Sequence, residues 1–122
     1  MTKNTLIKDE RLTGKTSIDA LFSSGESFFC YPFRIVYRIV EEQDVPCRML
    51  VNVPKRLHKT AVSRNLLKRR IREAYRLSKN DFYIHLEDKK LVIAFLYTEK
   101  KKSDYTTIEK GVKIALSKLQ KL

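Results

Sequence analysis

Apolar residues recur along this chain with two periods, and the switches between them divide it into seven elements. Ile18, Leu21 and Phe22 stand at helical spacing. Thr16-Ser17-Ile18-Asp19 has the form of a capping box ahead of them and Gly25 is placed to close the turn, so a short first helix is predicted. From Phe28 to Val40 the residues are aromatic and β-branched, as in strands. Pro32 lacks an amide donor, which divides that run into a short strand at 28–31 and a longer one at 33–40. Residues 41–46 turn the chain, and 48–53 are predicted to return antiparallel to the long strand. A second helix opens with Thr60 or Ser63 as N-cap and is expected to end within 78–81. Residues 91–97 form an uninterrupted apolar run of buried-strand length. Ser103 or Asp104 then caps a final helix carrying Tyr105, Ile108, Val112, Ala115 and Leu119.

The order αβββαβα predicts an α+β sandwich with helices packed on a mostly antiparallel sheet. At 122 residues, 43% of them hydrophobic, with three Gly and three Pro, the sequence reads as a single domain spanning 1–122. No linker, internal repeat or extended low-complexity segment divides it.

Charge changes the picture at the second helix. Between Lys55 and Arg76 lie nine Lys or Arg and one acid, a local +8 within a whole-chain formal charge of +12. With Arg64 set at 0°, Leu67, Ile71, Ala74 and Tyr75 fall between about 280° and 20°, a face for a core. Asn65, Lys68, Arg69, Arg72 and Arg76 fall between about 40° and 140°, a separate flank of amide, ammonium and guanidinium donors. Like charges such as Lys68 with Arg72, and Arg72 with Arg76, repel at i,i+4 by a few tenths of a kcal/mol each. Glu73 is the only local acid, so a face neutralised from within is a poor account and an anionic partner a better one. A membrane-surface helix would carry large apolar anchors opposite the charge, whereas here that face is small and mixed. A DNA-reading helix-turn-helix would need a second helix just upstream, where the strand 48–53 stands instead. RNA phosphate is the best fit.

Other chemistries find less support. Cys30 and Cys47 lie 17 apart without a CxxC or a nearby His at ligand spacing, which points to two reduced, partly buried thiols. A protein nuclease needs a paired base and acid or a metal-binding carboxylate cluster. His58 and His85 have no evident pairing, and Asp9, Glu10, Glu41, Glu42, Glu87 and Asp88 are expected in loops. The sequence has no apolar run near 18 residues and no signal-like leader, so a cytoplasmic protein without membrane attachment is expected.

The basic helix supplies Ala61-Val62, Arg64-Asn65, Lys68-Arg69 and Arg72-Glu73, followed by Tyr75. This spacing resembles the signature of the bacterial ribonuclease P protein subunit: Ala-Val, a spacer, Arg-Asn-Arg, Lys-Arg, and a further Arg one turn on. Leu66 stands where that family usually has the second Arg. Arg70, about 40° from Leu66 around the helix, is the candidate to replace it. The resemblance covers most of the chain, through Arg11-Leu12, then Phe22 and Gly25, through Val51-Asn52-Val53-Pro54-Lys55-Arg56, and through Leu91-Val92-Ile93-Ala94.

The resemblance implies the fold of the second domain of ribosomal protein S5, with a left-handed βαβ crossover where pattern alone would favour the right-handed one. It also implies that the catalyst is an RNA subunit using Mg²⁺, and that the protein binds this catalytic RNA and the single-stranded 5′ leader of precursor tRNA. The holoenzyme would be an endoribonuclease that hydrolyses one phosphodiester to give the mature 5′ end. Arg64, Asn65, Lys68, Arg69 and Arg72 would grip the RNA backbone, with Lys55, Arg56 and Arg76 as flanking phosphate contacts. Phe22 and Tyr37 match aromatics of the family's leader cleft, Tyr31 and Phe33 are further candidates for it, and Ile18 replaces a frequent Phe. No protein-bound metal and no protein partner are implied. A ribosome-associated protein that binds ribosomal RNA without processing would share the charge, size and fold. A free-standing RNA chaperone would share only the charge.

Overall fold

A computed structural model describes residues 10–122; Asp9, expected in a loop, lies outside them. The elements are α1 (Lys15–Ser24), β1 (Glu26–Cys30), β2 (Phe33–Val40), β3 (Cys47–Asn52), α2 (Ala61–Leu86), β4 (Lys90–Tyr97) and α3 (Tyr105–Leu119). Their order is the one the sequence predicts. Three helices and one four-stranded sheet make a mixed α+β domain.

Strand directions are those expected, and the pairing adds the order. The sheet runs β1-β2-β4-β3, with β4 antiparallel to β2 and parallel to β3. β3 therefore runs opposite to β2, as expected, but β4 lies between them. Burial explains the order. Leu91 to Phe95 are buried on both faces, which suits a central strand. β3 alternates buried with less buried residues and takes the edge.

Helix ends are corrected in two places. Polar residues at 78–81 do not stop α2, because Phe82 and Leu86 continue its buried stripe to Leu86. α1 begins at Lys15 behind Gly14, with no side-chain cap, so the capping box at Thr16 does not form. Thr60 and Asp104 do cap their helices, accepting bonds from the amides of Ser63 and Thr107. Gly25 ends α1 at a close approach: a Cβ there would lie 2.8 Å from the Tyr37 carbonyl oxygen. Gly111 likewise lets α3 meet the turn after β1, since its Cβ would sit 2.6 Å from the Tyr31 carbonyl oxygen.

The sheet buries both faces. α2 and α3 cover Phe33, Ile35, Met49, Val51, Ile93 and Phe95. On the other face α1 contributes Leu21, which with Leu12 packs on Val36, Val92 and Ala94. Each such large apolar side chain contributes about 1.5–3 kcal/mol.

The segment before α1 ties the two layers together. Arg11 bridges to Met49 and the Leu12 amide donates to the Met49 carbonyl at 2.8 Å, so this segment extends the β3 edge. Glu10, expected in a solvated loop, is buried instead. Its carboxylate accepts from Lys79 Nζ at 2.6 Å and from the Tyr83 hydroxyl at 2.5 Å. Removing one partner of such a pair costs about 3–5 kcal/mol because it strands the other charge.

Candidate nucleic-acid interface

α2 meets the main core through Leu67, Ile71, Ala74 and Tyr75, all fully buried, which fixes where its other residues point. Asn65 and Arg69 are exposed, and Lys68 and Arg72 half-buried. Among the described residues, none of these four forms an ion pair with a carboxylate. Burial, then the charge of Arg11, push the Arg72 guanidinium below its ordinary pKa. Arg11 therefore joins the cationic flank. No periodicity could have shown this, because it depends on the segment before α1 lying along β3.

The other cations of the motif have work inside the protein. Arg64 Nη1 donates to the carbonyls of His58 and Lys59 at 3.0 and 3.1 Å, fastening the loop that enters α2. Arg76 forms a two-point pair with Glu73, at 3.1 and 2.6 Å; the bond to Arg76 lowers the Glu73 pKa. Arg70 donates to the Ser103 carbonyl at 2.7 Å. It faces the start of α3, away from the flank, and so does not fill the place of the Arg missing at Leu66. Lys55 and Arg56 are exposed in the turn between β3 and α2. His58, in the same loop, is buried with Nε2 2.8 Å from the Glu99 carbonyl oxygen, and its ring lies 5.5 Å from that of Tyr97.

The structure separates the four predicted cleft aromatics. Phe22 stands on α1 with 46% of its surface exposed. Phe33 is not in a cleft: it is fully buried on the α2–α3 side, 5.7 Å from Phe95. Tyr37 lies on that same side, against Phe28 at 6.0 Å, with the sheet between it and α1. Tyr31 is exposed in the turn between β1 and β2. The α1 side of β2 carries the alternate residues Arg34, Val36, Arg38 and Val40, since Val36 packs beneath α1. Across this face Arg38 and Arg48 both oppose Val92. They line a cavity of about 240 Å³ together with Thr16, Ser17 and Glu42. The alternation of arginine with apolar residues in β2 was the available signal for these basic floor positions.

Cys30 and Cys47 are free and buried. Burial pushes the Cys47 thiol up to about 12, and Cys30 Sγ lies 3.4 Å from the Gly111 carbonyl oxygen. Among the described residues no group of His, Cys, Asp or Glu is arranged to hold a metal ion, and no helix is long and apolar enough to cross a membrane.

A cationic helix flank on one side of a four-stranded sheet, with a basic floor under a helix on the other, defines an RNA-binding α+β protein. Its family follows from comparison with known proteins. The family model for ribonuclease P matches residues 6–120. The ribonuclease P protein component of Porphyromonas gingivalis strain W83 is 37% identical over 117 residues, covering 93% of this chain and 85% of that one. That of Chlorobaculum tepidum is 38% identical over 104 residues, covering 77% and 68%. The fold is that of the Staphylococcus aureus RNase P protein, with a TM-score of 0.72 at 23% identity over 92% of this chain and 96% of that one. The Thermotoga maritima protein gives the same TM-score and identity over 89% and 96%. The chain belongs to the ribonuclease P protein family, and its role is that of the protein subunit of ribonuclease P.

Proposed function

We propose that this subunit grips the catalytic RNA of ribonuclease P with Asn65, Lys68, Arg69 and Arg72. Lys55, Arg56 and Arg11 extend the contact at its rim, and Arg64 and Arg76 contribute from their intramolecular pairs. The cleft between α1 and the sheet takes the 5′ leader of precursor tRNA. The observation that carries this reading is the flank itself: Lys68, Arg69 and Arg72 crowd along one side of α2 with no carboxylate partner among the described residues, a cost that phosphate contact offsets. Phosphodiester hydrolysis is the work of the RNA subunit with Mg²⁺, and the protein screens the repulsion between two polyanions. Two of the candidate acids and bases are engaged within the protein, which supports this division: His58 is bonded to the Glu99 carbonyl and Glu10 to Lys79 and Tyr83. The site of action is the cytoplasm.

Titration of ribonuclease P RNA with the protein across a salt series tests the assigned face. Arg69→Ala is expected to weaken binding and to lower the log–log salt slope by about one. Lys113→Ala, on the exposed side of α3 beside Glu109, should weaken it less. Equal effects of the two substitutions would refute the assignment.

A further inference from the structure

α1 covers only part of its side of the sheet. It rests over Val36, Val92 and Ala94, and one row lies beyond it toward the end where β3 leads into Lys55 and Arg56. The strand registers align that row as Phe29, Arg34, Leu96 and Asn52, crossing β1, β2, β4 and β3 in turn. Adjacent strands lie about 4.8 Å apart, so the row spans about 14 Å.

Its far end is unusual for a protein surface. Phe29 is 57% exposed, more than any other aromatic among the described residues, and it stacks on none of them. It sits on an edge strand, where a bare apolar side chain invites unwanted association. Its cross-strand neighbour Arg34 is also exposed, with Nη2 3.1 Å from Ser27 Oγ and no carboxylate partner among the described residues. A flat ring beside a cation matches the two faces of a nucleotide, its base and its phosphate. The near end, Asn52, is three residues from Lys55. Phe22 lies on the flank of α1 opposite Ser17 and Ser24, which line the cavities near Arg38. It therefore faces this row.

We propose that the single-stranded 5′ leader crosses the sheet along this row, from Asn52 past Phe22, and that a leader base distal to the cleavage site stacks on Phe29 while Arg34 holds its phosphate. This rests on the reading that the cleft takes the leader, and it adds a stacking position on the sheet where the β2 positions facing α1 carry no aromatic. A phenylalanine stack has little base preference, so the position would register leader length more than sequence.

The test uses the reconstituted complex of RNA subunit and full chain. Affinity is measured for mature tRNA and for precursors with leaders of about two and about ten nucleotides, the shorter unable to cross the row. Phe29→Leu, which keeps the strand apolar, is expected to weaken binding of the long-leader substrate about tenfold, as loss of one stack does. It should leave the other two ligands unchanged, while Phe29→Tyr retains affinity. Arg34→Gln should lower the salt slope by about one for the long leader alone. If Phe29→Leu has no effect while Phe22→Ala weakens the long-leader complex, the row is wrong and the cleft stands. An equal loss on all three ligands makes Phe29 structural and overturns the proposal. If the wild-type complex binds mature and leader-bearing tRNA equally, the cleft reading itself fails.

Discussion

Arg64 and Arg69 stand five residues apart in one basic motif, yet the structure gives them different work. Arg69 projects from the flank without an ion-pair partner among the described residues, whereas Arg64 clasps the carbonyls of His58 and Lys59. Arg64→Ala should therefore cost stability as well as RNA affinity, about 1 kcal/mol, or about 4 °C in Tm for a domain of this size. Arg69→Ala should leave Tm unchanged; thermal melts of the free protein separate the two. Cys47 offers a residue-scale test by pH. Its ordinary pKa of 9.0 is raised to about 12, so in the native protein it should stay protonated and resist alkylation at pH 8, reacting only on unfolding. Because the unfolded thiol ionises first, native stability should fall as pH rises from about 9 toward 12. The charges in the motif were legible in the sequence, but their division of labour was not. Which guanidinium meets a loop carbonyl depends on where the loop returns. Nor does any spacing connect Glu10 with Lys79, 69 residues on.

Elements read from periodicity alone have the right kind and order, and their errors are of one sort. Period two in β2 establishes that Phe33, Ile35 and Tyr37 share a face, but not which helix covers it. A shift of one residue moves every side chain to the other side of the sheet; the resemblance matched Tyr37 to the cleft and offered Phe33 as a further candidate, whereas Val36 and Arg34, on the alternate positions, face α1. The consequence is measurable. Phe33→Ala should destabilise the fold by about 3–5 kcal/mol, and Tyr37→Ala should leave leader affinity unchanged while Phe22→Ala lowers it. Urea unfolding and binding of leader-bearing against mature tRNA distinguish the two kinds of residue. The end of α2 fails for a related reason: the polar residues at 78–81 resemble a stop, but Phe82 and Leu86 still have core to fill. β4 takes the centre of the sheet because it is buried on both faces, which leaves β3 at the edge.

At the scale of the molecule, that edge joins the two basic regions. The segment from Glu10 to Leu12 leaves α2, crosses along β3 and enters the core beneath α1. Arg11 sits on the way, beside Arg72. On the proposed reading, an RNA bound on the α2 flank and a leader held beside α1 would meet across a single strand. The net charge of +12 makes such an assembly sensitive to salt and to divalent ions. The most direct test is cleavage of 5′-labelled precursor tRNA at low Mg²⁺ by a bacterial ribonuclease P RNA, with and without this protein, beside a protein-only control. The account predicts cleavage at the mature 5′ end only when both components are present. Cleavage by the protein alone, or no gain over a matched RNA by itself, would contradict it.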